Sequence, residues 1–554
     1  SGQNLPDNAI RITTRVHGLR FRVAPGLPPL VDGAASAVAT GRTLKVEAPS
    51  SKVPLDKGRF LSATEGRFDI PDTTLERPMG RASFRLTGGA DALATLLALP
   101  ALRPHAPGEI DPEALKGAAD LKSTVTLPLI DGIKAQDVRV SASGTLADVA
   151  SDTLLGTEKL EGANLKLTYD QRTLNLKGEG KVGGLPAQIE AKQDPRGGEG
   201  SLVVTLDQAA RQKRGFGFEG MVTGPVQVRV TKALGKTASP NPLLDIDLTR
   251  AAIDGLLPGW NKPAGRAGRV RFMLVQDDNG PDLEDFTLES PPVLLKGKVS
   301  FDKQMAVDGI NFPTAKLSAG DDARLDATVE GGVIRATVRG KVLDARPFLG
   351  MGGKDSKPGP DFDLDLAVPI VTGHNGEAFG NPVLKLSRRQ GVFRQLSLDG
   401  KIGRSSVRAN VPRSGEAAGS LVVEAQDGGA FLRFFDIYRR AHGGELIAQT
   451  PLGDGQGKGQ LLYRDFVVRN EPALRRVLVE TPNAQSGDRA GGDRNNGRRQ
   501  VDAAEVPFTK LKADFIRSRQ RIDIKEAVIW GPMIGFSAQG SVDYPLLVHL
   551  HMAA

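Results

Sequence analysis

The feature that most constrains this chain is alternation. Leu165, Leu167 and Tyr169 alternate with Lys166 and Thr168, and Leu185, Ala187, Ile189 and Ala191 with Gln188, Glu190 and Lys192. Val226, Val228 and Val230 alternate with Gln227 and Arg229, and Leu244, Ile246 and Leu248 with Asp245 and Asp247. The same period returns at Val270, Phe272 and Leu274, at Ala323, Leu325, Ala327 and Val329, at Ile334, Ala336 and Val338, and at Phe362, Leu364, Leu366 and Val368. A period of two sends successive side chains to opposite faces of a strand. Each run therefore predicts a strand with one apolar and one wet face. Turn signals such as Gly183-Gly184, Gly331-Gly332 and Asp399-Gly400 separate the runs at short intervals. Parallel strands need long crossovers, so the neighbours are expected to be antiparallel.

Helical patterns are few. Residues 90–99 place Leu93, Leu96 and Leu97 on one face before Pro100. Residues 430–440 carry Phe431, Phe434, Phe435 and Tyr438 at i, i+3, i+4 and i+7, an apolar stripe behind a candidate cap at Asp427. This stripe reads as a helix packed on the sheet or, alternatively, as a gate. A shorter helix is expected near residues 207–214.

Weak repetition is visible. GSLVVTLD at 200–207 resembles GSLVVEAQD at 419–427, and RASFRL at 81–86 matches RATVRG at 335–340, each followed by an aspartate at Asp91 and Asp344. The spacing is irregular, as in a drifted repeat. Linkers are expected at 235–242, 350–360 and 485–500, the last poor in apolar residues and read as a disordered loop.

At 554 residues the length fits three or four domains or one long array. The 66 Gly and 36 Pro make it turn-rich. The absence of Cys excludes disulfides, thiolate metal sites and Cys nucleophiles. The charge, 73 − 65 = +8, is spread along the length with 5% aromatics. A nucleic-acid binder would show a basic stripe interleaved with aromatics, so nucleic acid is not an expected partner. The most apolar stretch, 92–102, falls short of the ~20 residues of a membrane span. The chain opens on Ser1 without a signal peptide, so it reads as a fragment whose membrane anchor would lie outside it.

Catalytic motifs fail on context. GEGKVG at 178–183 and GFGFEG at 215–220 fit the dinucleotide string but precede strand-like sequence, so turn or sheet-bend glycines explain them better. Gly235-Lys236-Thr237 lacks the first glycine of a phosphate loop, the position being Val230. Of six histidines only His549 and His551 are close, with no third ligand nearby. Asp361, Asp363 and Asp365 form an acidic ladder, read as a solvated strand face before a calcium site. No base, nucleophile and oxyanion donor assemble locally, so neither an enzyme nor a metal or other cofactor is expected.

Several strings, in order along nearly the whole chain, resemble the AsmA-like superfamily of bacterial envelope proteins, in its large YhdP-like branch. They are VAPGLPPL at 23–30, ADALATLL at 90–97, IDPEAL at 110–115, VTLPL at 125–129 and GKVGGLPA at 180–187. WNKPAG at 260–265 and DARPFL at 344–349 continue the series. Residues 427–438, GKGQLLYRDF at 457–466, VPF at 506–508 and the segment 529–543 are similar to the AsmA-like C-terminal region. The tail LLVHLHMAA departs from the family, which continues into an apolar segment, so the C-terminal region is expected to be truncated or altered.

The resemblance implies a periplasmic body attached to the inner membrane, carrying phospholipid toward the outer membrane without catalysis, with envelope proteins as further possible partners. The implied fold is mostly β: a long curled antiparallel sheet forming a groove-like repeat array with a few short amphipathic helices. On this reading residues 1–235 form a central groove region, 236–352 its continuation and 353–554 the C-terminal region. The groove lining is then Leu165, Leu167, Leu185, Ile189, Val226, Val228, Val230, Leu244, Ile246, Phe272, Leu325, Val329, Leu364 and Leu366. Alternation alone favours a sealed β-sandwich whose apolar faces pack on each other without a ligand, and it is the resemblance that turns the reading toward a groove. The competing function is a structural or assembly factor that holds outer-membrane proteins by its sheet edges.

Overall fold

The structure is a computed structural model. It describes residues 9–553 except 24–25, 103–110, 134–136, 156–157, 171, 216–217, 219, 235–238, 350–359, 391, 413–418, 453–455, 476–503, 519–520 and 544–546. The linker cores at 235–238 and 350–359 and the loop at 485–500 lie outside the described residues, as do the side chains of His549 and His551. The fold is mostly β, with 66% of residues in strands and 8% in helical segments, so helices cover little of the sheet.

The chain forms two compact units. The first comprises Ser1–Gly217 and Gly224–Arg250. It is a meander of thirteen strands running from Arg11–Phe21 to Leu243–Asp247, each antiparallel to the strand before it. Helix α1 (Ala90–Leu97) connects Met79–Gly89 to Lys116–Pro128. Helix α2 (Gln208–Lys213) follows the strand Gly197–Leu206. Both preceding strands run the same way through the meander, so both helices fall on one edge of the sheet.

The second unit, Phe218–Thr223 with Ala251–Ala554, holds eighteen meandering strands from Arg269–Gln276 to Leu547–Ala553. It also carries a small sheet of Val222–Thr223, Ala252–Asp254 and Asn261–Lys262. One step departs from the expected antiparallel rule. Val333–Asp344 pairs in parallel with Asp361–Ala367 and Ile370–Thr372, after helix α3 (Arg346–Leu349) and the linker. Helix α4 (Gly428–Phe434) lies between Ser420–Ala425 and Ala441–Pro451. The strands that lead into α3 and α4 point the same way, so these helices also share an edge.

The sequence repeats mark these corners. The Asp207 carboxylate accepts the Ala210 N–H at 2.8 Å, and the Asp427 carboxylate accepts the Ala430 N–H at 2.8 Å, each capping a helix at the end of a similar strand. RASFRL leads into α1 and RATVRG into α3.

Helix α4 is shorter than its apolar stripe suggests. It stops at Phe434, and Asp436 turns into the left-handed region (φ +57°), held by Arg439 at 2.7 Å and Asn375 at 2.9 Å. Tyr438 therefore stands beyond the helix, exposed, its hydroxyl donating to Glu471 at 2.8 Å.

Glycines let adjacent strands approach closely on the apolar face. A Cβ on Gly144 would run into the carbonyl oxygen of Asp120, and one on Gly178 into that of Asn164. The neighbouring backbone closes to a distance that only glycine accepts. Gly178 opens the first dinucleotide-like string, which thus lies inside the strand Thr173–Val182 and its turn and not ahead of a helix.

Candidate functional site

The strand registers build a continuous apolar row within each unit. In the first unit Val53, Leu61, Gly88, Ala119, Leu146 and Leu165 stand opposite one another on successive strands. The row continues through Gly178, Ile189, Leu202, Val230 and Leu244, spanning eleven strands without a polar residue. Beside it runs a second row, Ala63, Leu86, Leu121, Gly144, Leu167, Leu176, Ala191 and Gly200. Lys166, Lys177, Glu190 and Arg229 occupy the opposite, exposed face.

Nine of the expected lining residues thus share one face: Leu165, Leu167, Leu185, Ile189, Val226, Val228, Val230, Leu244 and Ile246. Leu165, Leu167, Val226 and Val228 are buried, and the other five are half-buried.

The second unit repeats the device. Phe312, Leu325, Val338, Leu366, Leu384 and Leu398 are in register. They continue into Ala409, Val423, Ala448, Leu461, Ala513, Ala527 and Ala538, thirteen strands in all. Val329 and Leu364 lie on the same face in adjacent rows. Phe272 joins this face through Phe286, which stacks on it at 6.4 Å and on Phe312 at 5.6 Å. Phe272 and Leu366 are buried, while Leu325, Val329 and Leu364 stay half-buried.

The helices close these faces at one edge. Leu93 of α1 packs with Ala119, Leu121, Leu167 and Tyr169. Phe434 of α4 is 2% exposed and meets Phe379 edge-on at 4.7 Å. Phe431 and Phe435 pack beside it. These three side chains hold the α4 corner against the sheet. Tyr463, Phe466 and Phe508 form a further stack, at 3.9 and 5.5 Å between successive rings. The Tyr463 hydroxyl donates to the Gly443 carbonyl at 2.7 Å, and burial pushes its pKa above the ordinary tyrosine value. Nothing local in the sequence marks this stack, because its rings come from two strands joined by a long segment.

The acidic ladder lies on the face opposite Leu364 and Leu366, where the Asp363 and Asp365 side chains are 36% and 42% exposed and paired with arginines. Asp363 and Asp365 stand opposite Arg335 and Thr337 in the parallel pair, and Asp365 bonds Arg339 at 2.8 Å. Asp363 bonds Arg389 at 2.7 Å, which holds its carboxyl below the usual range. Asp361 accepts the Gln390 N–H at 2.6 Å. The arginines neutralise the ladder, and the aspartates are half-buried. Among the described residues no group of three His, Asp or Glu is placed to hold a metal.

A surface recess of about 450 Å³ lies between Lys57, Arg59, Thr87 and Asp91. Its cations are engaged: Arg59 bonds Asp91 at 2.9 Å and Glu113 at 2.8 Å, and Lys57 bonds Glu113 at 2.6 Å. Lys57 and then Arg59 lower the Glu113 pKa to about 2. No helix among the described residues is long and apolar enough to cross a membrane.

Compared with known proteins, the chain matches no family model, no curated protein and no solved structure.

Proposed function

We propose that the apolar face of each unit carries the acyl chains of phospholipid, making this protein a non-catalytic lipid conduit of the bacterial envelope. The observation that carries the reading is the unbroken row in each unit, kept half-buried along much of its length. A sandwich core would keep such a row apolar as well, but would bury its residues fully. A sliding chain needs the row both open and unbroken, because one polar position would interrupt it. Headgroups remain in water at the edge opposite the helices. In this reading the protein works in the periplasm between inner and outer membranes.

The test is to extract lipid from protein purified from bacterial cells and identify it by mass spectrometry. A photo-crosslinking residue at Ile189 or Leu384 should label phospholipid, and one at the outward Gln188 or Lys385 should not. Equal labelling of both faces, or no lipid at all, refutes the proposal.

A further inference from the structure

Arg433 gathers three segments around the end of α4. Its Nε and Nη2 donate to the Glu377 carboxylate at 2.9 and 2.7 Å. Its Nη1 donates to the Ala441 carbonyl oxygen and lies 3.0 Å from Nδ1 of His442. The helix, the turn before Ala378–Arg389 and the start of Ala441–Pro451 thus meet on one guanidinium. Two more bonds tie the helix to that turn. The His374 N–H donates to the Phe434 carbonyl at 2.9 Å, and the Asn375 amide to the Arg433 carbonyl at 2.8 Å.

An arginine stays protonated and can only donate. Nδ1 of His442 must therefore accept, so the ring is neutral and carries its proton on Nε2. A second proton would set N–H against N–H and place a cation beside two others, Arg433 and Arg469. The nearby carboxylates, Glu377 and Asp427, favour that proton but are already engaged, Glu377 by Arg433 and Asp427 by the Ala430 N–H. Burial, then Arg433 and Arg469, hold the His442 pKa below the ordinary histidine value.

We propose that His442 is a proton-operated latch, which holds α4 on the sheet at neutral pH and releases it in acid. Phe434 closes the helix-side edge of the apolar face in the second unit, so release would open that edge. The direction follows from linkage. A pKa lower in the closed corner than in the open one leaves closure intact above the ordinary value of 6.5 and weakens it as pH falls below. Asp436, which ends the helix, is held well below the usual carboxylate range by Arg439 and Asn375, so it stays charged through that window. The latch stands on this cluster alone and does not require the lipid reading.

The test is hydrogen exchange on the whole chain, read at residues 428–442 between pH 7.5 and pH 5 and corrected for intrinsic rates. Protection there should fall roughly fivefold, while that of Glu158–Asp170 in the first unit stays constant. In His442→Gln the amide oxygen accepts from Arg433 at either pH, so protection should no longer follow pH. His374→Gln should behave as the native chain, because that residue bonds α4 through its backbone. Nuclear magnetic resonance of the native protein needs no variant: the His442 ring should carry its proton on Nε2 and titrate below the ordinary value. Protection indifferent to pH overturns the proposal, as does a pH response that survives in His442→Gln or disappears in His374→Gln. A His442 ring that titrates at or above the ordinary value overturns it too.

Discussion

Replacing Leu325 by Asp places a charge in the thirteen-strand row, one strand in from its first residue, between Phe312 and Val338. Adjacent strands stand about 4.8 Å apart, a span of about four methylenes of an acyl chain. At about 0.8 kcal/mol per methylene removed from water, losing contact over one strand costs about 3 kcal/mol. A barrier of that height slows passage on the order of a hundredfold. The fold should tolerate the change. Leu325 is half-buried, so the lost burial is about 1–2 kcal/mol. Each strand also leans mainly on its two neighbours, which confines the damage. Thr328→Asp is the control, because it adds the same charge to the same strand on the exposed face. The assay is transfer of a fluorescent phospholipid between vesicles, with thermal unfolding followed in parallel. Leu325→Asp transferring within about twofold of the native rate while folded would refute the conduit argument at this strand.

Phe434→Ala should cost about 3–5 kcal/mol locally, seen as faster hydrogen exchange in Ala441–Pro451, because the ring is fully enclosed against Phe379. Tyr438→Phe removes one exposed hydrogen bond and should shift stability by less than about 1 kcal/mol by denaturant unfolding. Gly178→Ala should destabilise by about 1–3 kcal/mol in the same measurement, since the added methyl meets the Asn164 carbonyl. Arg389 lowers the folded-state pKa of Asp363, so that carboxylate's stabilisation is fully present above the unfolded pKa and is lost as pH falls through the folded one. Thermal unfolding from pH 6 to pH 2 should show a smaller acid-side decline in Asp363→Asn than in the native chain.

The strands were legible because each of their faces is written locally: Leu185 to Ala191 needs no distant residue to declare its inward side. The corners were legible too, since Asp207 and Asp427 cap helices only a few residues away. The α4 boundary was not. Periodicity runs on through Tyr438, whereas the helix is ended by Asp436, whose turn depends on Asn375 from another hairpin. The partners of the acidic ladder were hidden for the same reason. Arg335, Arg339 and Arg389 lie some two dozen residues away on either side, and only the parallel pairing brings Arg335 opposite Asp363. Alternation also said nothing about register. That the apolar positions align strand after strand into an uninterrupted row is a property of the pairings, which no single run contains.

The meander has a consequence for how the molecule is made. Nearly every strand needs only the hairpin just completed, so contacts are local and folding can advance with delivery of the chain. A newly emerged hairpin can zip onto the growing margin before the next one has been synthesised. The exception is the parallel pair, where Asp361–Ala367 must travel back past α3 before it can join Val333–Asp344. That step is a natural pause in biosynthesis, since the leading margin stays open until the returning strand reaches it.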